Sequence, residues 1–176
     1  MLEFPALPHI ACFDTAFHRT MVPAAQAYAI PYEWTDHGKI RRYGFHGLSH
    51  AYCAQRAAQM LGHTSQPLRL VICHLGHGCS ASAVRDGKCV DTTMGFTPLE
   101  GLMMATRSGS LDPEVILYLQ QECGLSIDEI RQGLNRHSGL LGVSRVSPDM
   151  RAVLASAASG DDRAELAIAM YCHRVR

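Results

Sequence analysis

Several residue groups in this chain have types and spacing that chemistry could use. The segment His74-Leu75-Gly76-His77-Gly78-Cys79-Ser80 places two glycines two residues apart. Such a pair bends the backbone tightly and can turn successive amide N–H groups towards one anion; it also serves as a plain turn. It is not a Walker A loop, because no Gly-Lys-Ser/Thr occurs in the chain. Arg107, just ahead of Ser108-Gly109, reads either as a solvated arginine complementing a helix dipole or as a guanidinium clamp on a transferring phosphoryl group. His46 and His50 stand four apart, and His74 and His77 three apart, which admits a zinc site. Gly47 falls where a zinc-protease helix carries its glutamate, and the glycines around His46 favour a loop there. Asp14 ends a short apolar run and is either a turn aspartate or a catalytic carboxylate.

These side chains need elements to position them. His9 to Phe13 is mostly apolar and predicts a short strand with Asp14 at its tip. A helix is expected over about Pro23 to Ile30, stopped by Pro31, and another from Ser49 as N-cap to Leu61, closed by Gly62. Leu68 to His74 predicts a strand buried on both faces. Cys79–Val84 and Lys88–Thr92 flank Asp86-Gly87, a hairpin signal, so the three strands should form an antiparallel meander. Thr97-Pro98-Leu99-Glu100 has the form of a capping box and predicts a helix from Pro98 towards Arg107. Further helices are expected from Asp112-Pro113 to Gln121, from the capping box Ser126–Glu129, from Ser147-Pro148, and from about Asp162 to the end. Three or four strands among six or seven helices predict an α/β unit with a short mixed sheet.

Of the 176 residues, 47% are hydrophobic and 18% charged, and the formal net charge is zero. That composition fits a globular domain, and the balanced charge offers no reason to expect nucleic acid or an anionic membrane as partner. Seven cysteines, an odd number without CxxC spacing, read as reduced and mostly buried thiols. No basic region or apolar stretch of signal-peptide length opens the chain, and a cytoplasmic location is the expectation.

Taken together and in order, the motifs resemble those of the acetate and propionate kinase family. Phe13-Asp-Thr-Ala-Phe-His18-Arg-Thr-Met21 looks like its FDTAFHxTM signature, and Arg42-Tyr-Gly-Phe-His-Gly-Leu-Ser-His50 its RYGFHGxSH. His74 to Gly78 is similar to the HLGNG phosphate loop. Asp91 to Met104 and Thr106 to Gly109 match the DTSMGxTPLEGLMMGTRSG block; Ser138 to Gly142 and Asp149 to Arg151 continue the series. The resemblance implies part of an actin-like ATPase fold and ATP-dependent, Mg²⁺-assisted phosphoryl transfer to acetate or propionate by a homodimer. It places Asp14, His46 and Arg107 at the reacting groups. It places His74, Leu75, Gly76, His77 and Gly78 on the nucleotide phosphates, and Asp149, Met150 and Arg151 on the adenosine. Phe45 and Pro98 would wall the acyl pocket. It also implies residues 1–17 as the end of an N-terminal domain and 18–176 as an incomplete C-terminal kinase domain.

Among the departures from the family pattern, His77 stands for Asn, Ala105 for Gly and Ser110 for Asp. The imidazole at 77 is bulkier and can be charged, which would re-route phosphate contacts. The family's metal-binding Asn and Glu, its nucleotide Lys, its carboxylate-binding Arg and a second glycine-rich loop have no counterpart here. The resemblance therefore implies a fragment with no metal ligand of its own, inactive alone. The alternative is a non-catalytic remnant that folds or dimerises and binds nucleotide weakly.

Overall fold

The computed structural model describes residues 7–62 and 67–176. Residues 1–6, the start of the expected N-terminal remnant, lie outside that range. Hydrophobic alternation builds the sheet. Strand β1 (Arg69–Leu75), β2 (Cys79–Arg85) and β3 (Lys88–Thr92) pair antiparallel in the order β1-β2-β3. The predicted meander is present. Its second turn, Asp86-Gly87, has positive φ at both residues (51° and 73°), the twist that suits right-handed strands. The Asp86 side chain accepts from the Leu68 N–H at 2.9 Å and fastens the outer end of β1.

β1 is not buried on both faces. Arg69, Val71, Cys73 and Leu75 are exposed, and only the alternate residues are half-buried. β2 behaves differently: Cys79, Ser80, Ser82 and Val84 are buried, so the core side of the sheet is centred on the middle strand.

Around the sheet lie a 3-10 turn (Ala16–Thr20) and eight α-helices among the described residues: α1 (Pro23–Gln26), α2 (Tyr32–Gly38), α3 (Gly47–Met60), α4 (Glu114–Gln121), α5 (Ile127–Arg136), α6 (Gly139–Ser144), α7 (Met150–Ala158) and α8 (Asp162–Val175). α5 carries the predicted capping box in full, Ser126 accepting from the Glu129 N–H while Glu129 accepts from the Ser126 N–H. α8 begins where expected, with Asp161 accepting from the N–H groups of Arg163 and Ala164.

Other expectations are corrected. His9 to Phe13 is not a strand; it is irregular and exposed. The helix expected to reach Ile30 stops at Gln26. The Gln26 carbonyl accepts from the Arg42 N–H and its side chain donates to the Met21 carbonyl, so tertiary bonds take over. α3 starts two residues before Ser49, with His46 in the capping position. α2 and α6 were not anticipated. Of the seven cysteines, Cys79 and Cys89 are buried and the rest exposed, all of them free thiols.

The largest departure is Pro98 to Arg107, which forms no helix. Its would-be capping glutamate, Glu100, faces elsewhere and accepts from Arg42 Nη2 at 2.8 Å and from the Tyr28 hydroxyl. Apart from a Met104 N–H to Arg107 carbonyl bond, the following backbone bonds to neighbours: the Ala105 N–H donates to the His77 carbonyl, and the N–H groups of Leu140 and Leu141 donate to the carbonyls of Met104 and Ala105. Gly101 (φ 110°) and Gly109 (φ 73°) supply the bends at either end.

Leu102, Met103, Met104 and Ala105 are all buried within this irregular stretch. Met104 and Leu102 pack with Cys79 and Met94 beneath the sheet, while Met103 joins Leu140, Val153, Ala164 and Ala167 between α6, α7 and α8. The stretch thus ties both halves of the core together. Replacing Met104, which is fully buried, by Ala should destabilise the chain by about 3 kcal/mol through lost burial and cavity formation. A urea midpoint unchanged from wild type would show that this stretch is not part of the core.

Candidate active site

Two adjacent backbone decisions aim the site. His46 has φ 58° and ψ 25°, the left-handed region that a side chain rarely occupies. The conformation is held from outside: its N–H donates to Asp14 Oδ2 at 2.7 Å, and the Gly47 N–H donates to the Asp14 carbonyl at 2.9 Å. A side chain at Gly47 would overlap that carbonyl oxygen, so only glycine permits the approach. Asp14 therefore fixes the point from which α3 departs and the His46 ring projects.

That ring stacks on His74 with centroids 4.0 Å apart, and its Nδ1 lies 2.9 Å from Ser80 Oγ. His74, on β1, is oriented by Ser49 of α3, whose Oγ is 2.9 Å from His74 Nδ1. At the turn between β1 and β2 the Gly76 N–H donates to the Gly78 carbonyl. Gly78 is closed in. A Cβ there would sit 2.9 Å from Arg107 Nη2 and 3.2 Å from His46 Nε2. Arg107 is not at a helix end, as the sequence suggested; it sits in the irregular stretch, with Nη1 donating to the Pro98 carbonyl at 2.6 Å. An imidazole nitrogen and a guanidinium thus meet at the loop's second glycine, a geometry that presents donors to an anion.

The same loop borders a cavity of about 430 Å³ through Leu75, Gly76 and His77, with Ala105, Leu140, Tyr171 and the Pro148–Met150 turn as its other walls. The size falls within the range of small-molecule and nucleotide sites. Asp149 stands at the start of α7, where Arg151 pairs with it at 2.6 Å and holds its carboxyl down to about 2. Of the expected adenosine segment, Asp149 and Met150 line the cavity, and exposed Arg151 reaches it through this pair. His77 is exposed at the cavity wall. Phe45 packs on the core cluster and gives its carbonyl to His18, while Pro98 is exposed.

Supporting residues were not read from the sequence. Glu100, Arg42 and Tyr28 pin the 96–101 turn: Arg42 Nη1 donates to the carbonyls of Thr92 and Thr93, and the Tyr28 hydroxyl accepts from the Phe96 N–H. Burial and the neighbouring Glu100 push the Tyr28 hydroxyl up to about 12. His18 Nε2 donates to the Phe45 carbonyl at 2.9 Å, which makes Nδ1 the acceptor for the buried Cys89 thiol at 3.2 Å. Both Arg42 and His18 lie inside quoted motifs. Nothing in a motif says that such a residue acts by supporting another.

No group of three or more His, Cys, Asp or Glu side chains is arranged to hold a metal ion among the described residues; His46, His50 and His74 turn to serines, and His77 is exposed. The described helices also include none long and apolar enough to cross a membrane.

The three-stranded antiparallel sheet and its surrounding helices form part of an actin-like ATPase fold. A propionate kinase from Francisella tularensis superposes with a TM-score of 0.92 at 50% identity, covering 98% of this chain and 44% of that one. Acetate kinase from Porphyromonas gingivalis gives a TM-score of 0.90 at 44% identity over 93% of this chain and 41% of that one. Acetate kinase of Microcystis aeruginosa is 56% identical over 170 residues, which is 97% of this chain and 42% of the relative. The Acetokinase family model matches residues 1–176, and the chain belongs to that family. It spans about two fifths of the length of the relatives it matches.

Burial lowers the proton affinity of His50, His46 and His18, and His50 falls from 6.5 to about 4. The unfolded chain therefore binds more protons than the folded one as pH drops below 6.5. Stability is complete above that value and declines as pH falls towards 4. Urea midpoints measured from about pH 7 down to about pH 5, above the carboxylate range, should fall steadily. A flat profile would mean that these imidazoles charge in the folded state too.

Proposed function

We propose that this chain carries part of the active site of an ATP-dependent kinase that forms an acyl phosphate from a short-chain carboxylate. The reaction is acetate plus ATP to acetyl phosphate plus ADP. The observation that carries the reading is the meeting of Arg107 Nη2 and His46 Nε2 at Gly78 of the phosphate-type loop. Membership of the Acetokinase family supports it.

A carboxylate is already ionised at neutral pH, so the reaction asks the protein for placement and charge, not for a strong base. One acetate oxygen attacks the γ-phosphorus in line. The bond to the β–γ bridging oxygen breaks, and its electron pair leaves with ADP. The transferring group is loosely bonded at the midpoint, with negative charge on its equatorial oxygens. Arg107 and His46 donate to those oxygens, and the amides of His77 and Gly78 hold the nucleotide phosphates from the cavity side. Asp14 takes no proton; its carboxylate is committed to the His46 N–H and holds the donor in place. The nucleoside occupies the cavity between the loop and Asp149–Met150, and Phe45 and Pro98 flank the acyl group. Mg²⁺ is not given a ligand set by the described residues, and no step here runs through it.

Acetate and propionate differ by one methylene, worth roughly 1–3 kcal/mol in an apolar pocket. The relatives include kinases named for each, so the proposal covers both acceptors. The family reading carries with it a cytoplasmic homodimer and the division at about residue 17. A second reading, a chain that binds nucleotide weakly without turnover, is favoured by His77, whose imidazole lines the cavity in place of an amide.

ATP binding by calorimetry and acyl phosphate formation from ATP and acetate or propionate, measured with the purified chain and Mg²⁺, test the proposal. Turnover shows a kinase that works without the family residues it lacks. ATP binding without turnover fits both a piece of a kinase and the second reading, and the absence of both binding and turnover overturns both. In an active preparation, Arg107→Ala should lower kcat about a hundredfold, near 3 kcal/mol of transition-state stabilisation. A loss below about tenfold would remove Arg107 from that role. His77→Asn should tighten ATP binding in calorimetry, and unchanged or weaker binding would clear His77 of interference.

A further inference from the structure

Beneath His46 lies a buried polar chain that the proposed reaction does not use directly. Ser80, in the centre of the sheet, and His50, on the first turns of α3, are both fully buried. Ser80 Oγ is 2.9 Å from His46 Nδ1 and 2.7 Å from His50 Nε2. The far nitrogen of His50, Nδ1, is buried with no hydrogen-bond partner. A hydroxyl has a single proton, so it donates to one imidazole and accepts from the other.

Two directions are possible along this chain. In one, His46 Nδ1–H donates to Ser80, and Ser80 donates to His50 Nε2. His50 must then carry its proton on Nδ1, as an N–H buried without an acceptor, and His46 presents a bare lone pair towards Gly78. In the other, His50 Nε2–H donates to Ser80 and Ser80 donates to His46 Nδ1. The unpartnered atom is then a lone pair rather than an orphaned N–H, and orphaned buried N–H groups are the rarer case. His46 keeps its proton on Nε2, the nitrogen that abuts the Gly78 position beside Arg107.

We propose that His50 and Ser80 are positioning residues that set the tautomer of His46, through the chain His50 Nε2–H to Ser80 Oγ–H to His46 Nδ1. His46 is thereby a neutral donor at Nε2, with its partner-set orientation supplied from below. The functional value of the donor rests on the phosphoryl-transfer reading; the tautomer itself does not. The charged and titratable groups around the chain are Asp14, Arg107, His18 and His74. Burial, His74, Arg107 and His18 keep His46 neutral, and burial, His18, His46 and His74 keep His50 neutral, with Asp14 acting in the opposite sense on both.

The test is nitrogen NMR of the chain labelled with ¹⁵N-histidine, at a pH above the histidine range, with His46 assigned by the loss of its signals in H46Q. The expected wild-type pattern is a protonated Nε2 and an acceptor-type Nδ1 on His46, and the same on His50. Ser80→Ala should convert the His46 pattern to an average of both tautomers, and Ser80→Thr, which keeps the hydroxyl, should preserve the wild-type pattern. A wild-type His46 protonated at Nδ1 overturns the proposal without any variant, and so does an unaltered His46 tautomer in folded S80A. ATP binding to wild type, followed separately by calorimetry, tests the kinase reading, so the failure of either is recognised apart from the other.

Discussion

The left-handed backbone at His46 is the constraint on which the rest of the site depends. A residue with a side chain does not hold φ 58° unaided, and here two hydrogen bonds accepted by Asp14, from the His46 and Gly47 N–H groups, hold it. The turn starts α3, and α3 in turn carries Ser49 to His74 and His50 to Ser80. One residue, through its carboxylate and its backbone carbonyl, therefore sets the direction of an entire helix and of three histidines. Asp14 is better understood as the anchor of a donor array than as a member of it.

The second organising feature is a stretch that has no secondary structure yet is buried. Residues 102–105 bond through their backbones to the glycine loop on one side and to α6 on the other. Arg107 is delivered from this stretch, and Ala105 joins the loop that borders the cavity. Because the same residues fill the core, the position of the guanidinium is set by packing under the sheet rather than by a flexible tether. A single hydrogen bond from Arg107 Nη1 to the Pro98 carbonyl completes the placement.

Much of this was legible in the sequence. Asp86-Gly87 specified the hairpin, Ser126 and Glu129 specified the start of α5, and the order of motifs identified which residues would converge. The failures are instructive because each has one cause. Thr97 to Glu100 has the spacing of a capping box, but Arg42 and Tyr28 claim the glutamate across the chain, and a local pattern cannot register a competitor seventy residues away in the case of Tyr28. Leu68 to His74 reads as a fully buried strand because its residues are apolar; the structure leaves one face of it exposed. The imidazole contacts of Ser80 and Ser49 were not legible, since a serine in a strand or helix looks ordinary until the imidazole opposite it is known.

The core beneath the site is rich in thioether sulfur. Met94 and Met104 are wholly enclosed, Met103 nearly so, and the Cys79 thiol lies among them. Such side chains are unbranched and polarisable, and they refill a shifting space more readily than branched aliphatics. They are also the atoms that oxidants convert to polar sulfoxides, once they can be reached. While the domain stays closed, these sulfurs are shielded, whereas the exposed Met60 is not. Sulfoxide at position 94 or 104, set against position 60, would therefore keep a chemical record of how often the irregular stretch lifts away from the sheet.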